Sequence, residues 1–173
     1  MPDIKPVPDA NVRAQSYLVA RTSARCWQCA LPTHLLALAM QRSHETLHGD
    51  TQTGAGDGGE SVSDEWQRAN VNAFLFYVEC LPTGVENRLQ QLGRFFRLAH
   101  SAATLNSYWA NHCEHCGILI GDHELHCEPE GAFMPSSEVA AANIQLVQIP
   151  EPFEAVAAGY AIEPEFFTFM RRG

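Results

Sequence analysis

Apolar positions gather in four short runs and one amphipathic stripe. Residues 16–22 (Ser-Tyr-Leu-Val-Ala-Arg-Thr) read as a strand, and so do residues 34–40 (His-Leu-Leu-Ala-Leu-Ala-Met), although their Leu/Ala content suits a helix equally well. Residues 73–81 (Ala-Phe-Leu-Phe-Tyr-Val-Glu-Cys-Leu) are dense in aromatic and β-branched side chains and predict a buried strand. The alternative is a helix from Asp64, with Trp66, Ala73, Tyr77 and Cys80 on one face; Pro82 ends either element. Ile144–Ile149 is a short alternating strand closed by Pro150 and Pro152.

The stripe is Val85, Leu89, Leu92, Phe96 and Ala99, spaced by threes and fours, with Arg88, Gln90, Gln91, Arg94 and Arg97 between. That spacing predicts one long helix packed on a sheet, opened by a capping box of Thr83 and Glu86. Gly117–Leu125 reads as a strand with a turn or bulge at Gly121-Asp122. Residues 1–12, with three prolines, read as an extended lead. Residues 43–63 place Gly49, Gly54, Gly56, Gly58 and Gly59 among polar side chains, which predicts a mobile insertion. No Gly-Lys-Ser/Thr follows it, so it is no phosphate loop. Gly131, Pro135 and Ser136-Ser137 mark another loop, and Phe166, Phe167 and Phe169 are expected to dock the last segment on the core.

Two Cys-x-x-Cys pairs change this picture: Cys26-Trp27-Gln28-Cys29 and Cys113-Glu114-His115-Cys116. Four thiolates in two such pairs are what a tetrahedral structural zinc needs. The expected ligands are Cys26, Cys29, Cys113 and Cys116. Gly117 follows the second pair and lets the backbone turn so that amides face the sulfurs; Ala30 holds the equivalent place in the first. The expected fold is therefore α+β: a small antiparallel sheet with one main amphipathic helix, stapled by a split zinc ribbon, in a single domain over residues 1–173. Other readings are a thioredoxin-like pair at Cys26 and Cys29, if residues 35–40 are helical, and two disulfides. A second metal site is a further reading, drawn from His112, His115, His123, His126 and Cys127. Cys80 reads as core.

Composition narrows the partners. Hydrophobic residues make up 46% of the 173, and the net charge is −9, with ten arginines and a single lysine, Lys5. Such a balance repels phosphate backbones and suits a basic partner. Residues 1–6 hold no apolar run, so no signal peptide is expected, and no stretch reaches the roughly 18 apolar residues of a membrane helix. The expected setting is a reducing cytoplasm, where paired cysteines bind metal more often than they form disulfides. Four cysteines close a zinc shell that catalysis would need open. His112-Cys113-Glu114 matches the His-x-Glu of zinc deaminases, without the downstream Pro-Cys-x-x-Cys. The run Asp122, Glu124, Glu128 and Glu130 reads as a solvated face.

Residues 108–117 (Tyr-Trp-Ala-Asn-His-Cys-Glu-His-Cys-Gly), continuing through Gly121-Asp122 and Leu125-His126 to Glu128-Pro129, resemble a recurring bacterial pattern. In it a Tyr-x-x-Asn-x-Cys-x-x-Cys-Gly knuckle is followed by Gly-Asp and Leu-His. Residues 24–29 resemble the partner knuckle of that uncharacterised family. The resemblance implies a split zinc ribbon in a bacterial cytoplasm, and no substrate or catalytic residue. The function expected is a non-enzymatic protein-binding module, in a sharper version an acidic immunity protein or inhibitor of a basic toxin. The alternatives are a nucleic-acid-binding zinc ribbon using Arg21, Arg25 and Trp27 or Arg94 and Arg97, and a thiol redox enzyme.

Overall fold

Two neighbouring strands, β2 (Tyr17–Arg25) and β3 (Pro32–Met40), alternate with period two and bury both faces. Tyr17, Val19, Leu36, Leu38 and Met40 face one core, and Leu18, Ala20, Leu35, Ala37 and Ala39 face the other. A strand covered on both sides reads as a continuous apolar run, which is why residues 34–40 also look helical. The computed structural model describes residues 6–47, 65–162 and 164–173.

The remaining strands are β1 (Val12–Ala14), β4 (Glu45–Thr46), β5 (Gln67–Arg68), β6 (Ala73–Cys80), β7 (Phe96–Ser101), β8 (Asn106–His112), β9 (Leu119–Ile120), β10 (Gln145–Ile149), β11 (Phe153–Ile162) and β12 (Arg171–Arg172). Nine form one sheet, ordered β12-β10-β2-β3-β6-β11-β1-β4-β5, and β7-β8-β9 form a second. Only the β10–β12 pairing in the large sheet is parallel. Strand takes 43% of the described residues and helix 15%. The expectation of a small antiparallel sheet with one main helix is therefore wrong: the molecule is built on a large mixed sheet.

The helices cover that sheet. From α1 (Thr83–Leu92), Val85 and Leu89 pack on the first core together with Phe96 and Trp109 of the second sheet. Two short helices, α2 (Asp122–His126) and α3 (Glu138–Ala141), and a 3-10 turn at Phe167–Phe169 cover the other face through Leu125, Ala141 and Phe167.

Four elements depart from expectation. The helix expected through Ala99 stops at Leu92, because Gly93 is extended (φ −177°) and Phe96–Ser101 pairs with β8. In that strand Phe96 packs into the core while Ala99, three residues on, falls on the opposite face, and Arg94 and Arg97 lie beyond the helix. The N-cap is Pro82 and no side chain caps the helix, so Thr83 and Glu86 form no capping box. The strand expected over residues 117–125 is only β9, after which Gly121 caps α2. Glu45–Thr46, inside the expected mobile insertion, pairs with β1 and β5, while residues 48–63 of it lie outside the described residues. Residues 153–162, for which no element was expected, form the longest strand, lying between β6 and β1. Cys80 is exposed and Phe169 is 47% exposed, so neither belongs to the core.

Close approach explains one glycine. A Cβ on Gly159 of β11 would lie 2.2 Å from the Phe76 ring, which lies across that position from β6. Phe76 in turn stacks on His126 of α2, centroids 5.2 Å apart, and His126 stacks on Phe133 at 5.1 Å.

Candidate metal centre

Each Cys pair sits at the turn of a hairpin, the first between β2 and β3 and the second between β8 and β9. The two turns repeat the same hydrogen bonds. Cys26 N–H donates to Leu31 O and Ala30 N–H to Cys26 O, both at 2.9 Å. Cys113 N–H donates to Ile118 O and Gly117 N–H to Cys113 O, also at 2.9 Å. Closing each turn requires a left-handed residue in the same place: Ala30 at φ 61° and Gly117 at φ 74°. The sequence pattern marks the glycine as suited to that role and the alanine as less so.

This geometry aims amides at every sulfur. Gln28 N–H and His115 N–H donate to Cys26 Sγ and Cys113 Sγ at 3.4 Å, and the Leu31 and Ile118 amides serve Cys29 and Cys116. Such donors stabilise thiolate charge. The four ligand atoms all lie within 4.8 Å of one another, with Cys26–Cys116 and Cys29–Cys113 at 3.6 Å. A tetrahedron of Zn–S bonds near 2.3 Å sets its sulfurs about 3.8 Å apart. These separations are far beyond a disulfide's roughly 2.05 Å. The four cysteines together can hold a metal ion.

Crowding drives the Cys113 and Cys116 thiols apart. Burial pushes the Cys113 thiol up, but the Cys116 and His115 amides and the neighbouring thiols outweigh it and bring it to about 6. At Cys116 the Ile118 amide pulls down, while burial and the other three thiols push up, to about 12. One proton leaves readily and the last is held hard, which is the repulsion a bound cation relieves.

Residues between the second pair's cysteines latch the hairpins together. Glu114 N–H donates to Thr33 Oγ1 at 3.0 Å, and Glu114 Oε2 accepts from His34 N–H at 2.9 Å and meets His34 Nδ1 at 2.7 Å. His115 Nε2 lies 2.9 Å from Pro32 O. Deeper in, Asn111 spans to β3: its Oδ1 accepts from Leu36 N–H at 2.8 Å and its Nδ2 donates to Leu36 O at 2.9 Å.

The other residues singled out by pattern do not assemble into a site. The four-cysteine group is the only potential metal cluster among the described residues. His112 is buried with Nδ1 on Phe95 O and Ala110 O, and burial lowers its pKa. His123 and Cys127 are exposed, whereas His126 is closed among aromatic rings, its pKa driven down to about 3 by burial. Asp122 is buried as well, apart from the acidic face expected of it. Its Oδ2 accepts from Tyr77 N–H at 2.7 Å, where Tyr77 adopts φ 49° inside β6, and burial raises its pKa to about 7. Cys29 is followed by a strand, whereas the thioredoxin-like reading rests on a helix there.

No helix among the described residues is long and apolar enough to cross a membrane. Comparison with protein-family models, with curated proteins and with solved structures found no match.

Proposed function

We propose that Cys26, Cys29, Cys113 and Cys116 hold a structural zinc ion, and that the protein is a non-enzymatic module that binds another protein in a reducing, bacterial cytoplasmic setting. The observation behind this reading is the all-sulfur donor set at tetrahedral spacing, with an amide aimed at each thiolate. A shell of four thiolates suits an ion that supports the fold and offers no position for reacting water. The first knuckle also presents Trp27 and Leu31, 58% and 48% exposed, beside the metal centre. Aromatic and aliphatic side chains displayed on a rigid turn suit a protein contact.

The net charge of −9 favours a basic partner, and the sharper reading is an immunity protein or inhibitor that covers a cationic toxin surface. The nucleic-acid alternative draws on Arg21, Arg25 and Trp27, which share the β2–β3 hairpin; the overall charge works against it. Metal analysis and thiol titration of purified protein test the first half of the proposal. One zinc per chain should protect four of the six cysteines, leaving Cys80 and Cys127 reactive. Binding to a basic protein encoded beside it, with an association rate that falls steeply with salt, tests the second. Equal reactivity of all six thiols in metal-loaded protein would sink the zinc reading.

A further inference from the structure

The staple leaves a crevice beside it. Where β2 and β3 run out toward the first knuckle, a pocket of about 250 Å³ opens between them, the end of α1 at Leu92 and the segments at Phe95 and Glu114. Its lining includes Leu36, Leu92 and Phe95 as an apolar part, and Arg21, His34 and Glu114 as a polar one. Period two explains the placement. Arg21 follows Tyr17 and Val19 on the first-core face of β2, and His34 precedes Leu36 on the same face of β3. Arg21 is thus the place where an inward-facing row becomes cationic as it leaves the core.

The polar groups differ in how they are engaged. Glu114 Oε2 is taken by His34 N–H and Nδ1, which also fixes the imidazole, whose ring lies 6.4 Å from that of Phe95. The Arg21 side chain has no hydrogen-bond or ion-pair partner among the described residues and is exposed at the pocket. An unengaged guanidinium next to an apolar wall and an aromatic ring is the arrangement that receives a carboxylate with a flat apolar body. The single carboxylate of Glu114 nearby opposes a dianion, so one ligand charge matches one guanidinium.

We propose that this crevice is a binding site for a small aromatic or branched monocarboxylate, its carboxylate on Arg21 and its apolar body against Leu36, Leu92 and Phe95. The site needs the two hairpins held together, whichever ion holds them, and is independent of any protein partner.

Titration calorimetry of the metal-loaded full chain with phenylacetate, phenylacetamide and inorganic phosphate tests it. Phenylacetate should bind, with the neutral amide and phosphate at least tenfold weaker. Arg21→Gln should weaken phenylacetate tenfold or more while leaving melting temperature and metal content unchanged, since the Arg21 side chain makes no hydrogen bond or ion pair among the described residues and is exposed. No phenylacetate binding, equal binding of acid and amide, stronger binding of phosphate, or unchanged affinity in Arg21→Gln would each overturn the proposal. Metal content and partner binding are read separately, so the proposed function stands or falls apart from this result.

Discussion

The side-chain amide of Asn111 pairs with both backbone groups of Leu36, as a neighbouring strand would. The pairing between β3 and β6 covers only Leu38 to Met40, so Leu36 lies beyond the reach of β6. Asn111, fully buried, continues the ladder from the second sheet. Two residues upstream of Cys113, it carries the staple's grip into the core.

Replacing Asn111 with Leu leaves the Leu36 N–H and C=O unpaired in a dry place. Each buried group without a partner costs about 1–3 kcal/mol. Chemical denaturation should therefore show a loss of about 3 kcal/mol, with a melting temperature lower by roughly 6–12 °C at this chain length. Asn111→Asp should be at least as damaging, because it keeps the acceptor and adds a buried charge. Stability within 0.5 kcal/mol of wild type, about the scatter of a neutral surface change, would mean the amide does not close the ladder.

Metal removal should loosen the whole molecule, since both cores run into the stapled hairpins. A structural ion bound to four cysteines contributes on the order of 10 kcal/mol in small zinc domains. Cys113→Ser, or a strong chelator, should lower the melting temperature by about 10 °C or more. The readout is scanning calorimetry with metal content measured on the same sample. An unchanged transition after verified metal loss would count against a supporting role.

The two knuckles carry different residues at the left-handed position, which makes a matched pair of variants. Ala30 occupies φ 61°, so Ala30→Gly should relieve backbone strain and stabilise by roughly 0.5–1 kcal/mol. Gly117 stands at φ 74° with nothing within 4 Å of an added Cβ, so Gly117→Ala should cost about 1 kcal/mol from the backbone alone. Urea midpoints of the two variants should move in opposite directions. Movement in the same direction would show that the turns are not equivalent.

Asp122 and His126, one turn apart on α2, should oppose each other in pH dependence. His126 has its pKa lowered from 6.5 to about 3 by burial, so the stability tied to it is full above pH 6.5 and is lost as pH falls toward 3. Asp122 has its pKa raised from 3.8 to about 7 by burial, with the Tyr77 amide opposing, so its contribution is full below pH 3.8 and is lost as pH rises through 7. Between pH 4 and 6.5 the two slopes cancel in part. His126→Phe should then leave a protein that grows steadily less stable from pH 4 to 7, by up to about 1.4 kcal/mol per unit. Asp122→Asn should do the reverse, gaining stability from pH 4 to 6.5. Parallel stability profiles in the two variants would refute the opposition.

The clustering of the four cysteines and strands β2, β3, β6 and β10 were legible because their signals are local: paired cysteines at fixed spacing and dense apolar runs. The rest depended on distant partners. Phe96 and Ala99 continue the stripe of α1 by spacing alone, but Phe96–Ser101 gains its ladder from residues 106–111, which no local period announces. Strand β11 contains Ala155, Ala157, Ala158, Gly159 and Ala161, a composition that propensity does not assign to a strand; Phe76 needs Gly159 there to lie flat. Tyr108, Asn111, Asp122 and His126 carry the resemblance beyond the cysteines and suggest chemistry by type. All four are buried and structural, which only their partners reveal. The size of the sheet was missed with β11, since that strand alone connects β1, β4 and β5 to the others.

That connection has a consequence for biosynthesis. Both knuckles, the second ending at Cys116, leave the ribosome before Phe153–Ile162 does. The nascent chain can bring its four cysteines together while β6 still has an open edge and β1 lacks its β11 partner. Until β11 arrives, an apolar row from Ala73 to Cys80 offers unpaired amides to any neighbour. A ribosome pausing in that interval would expose an edge prone to aggregation, and an ion held by the four cysteines would by then already tie the half-built sheet to the second one.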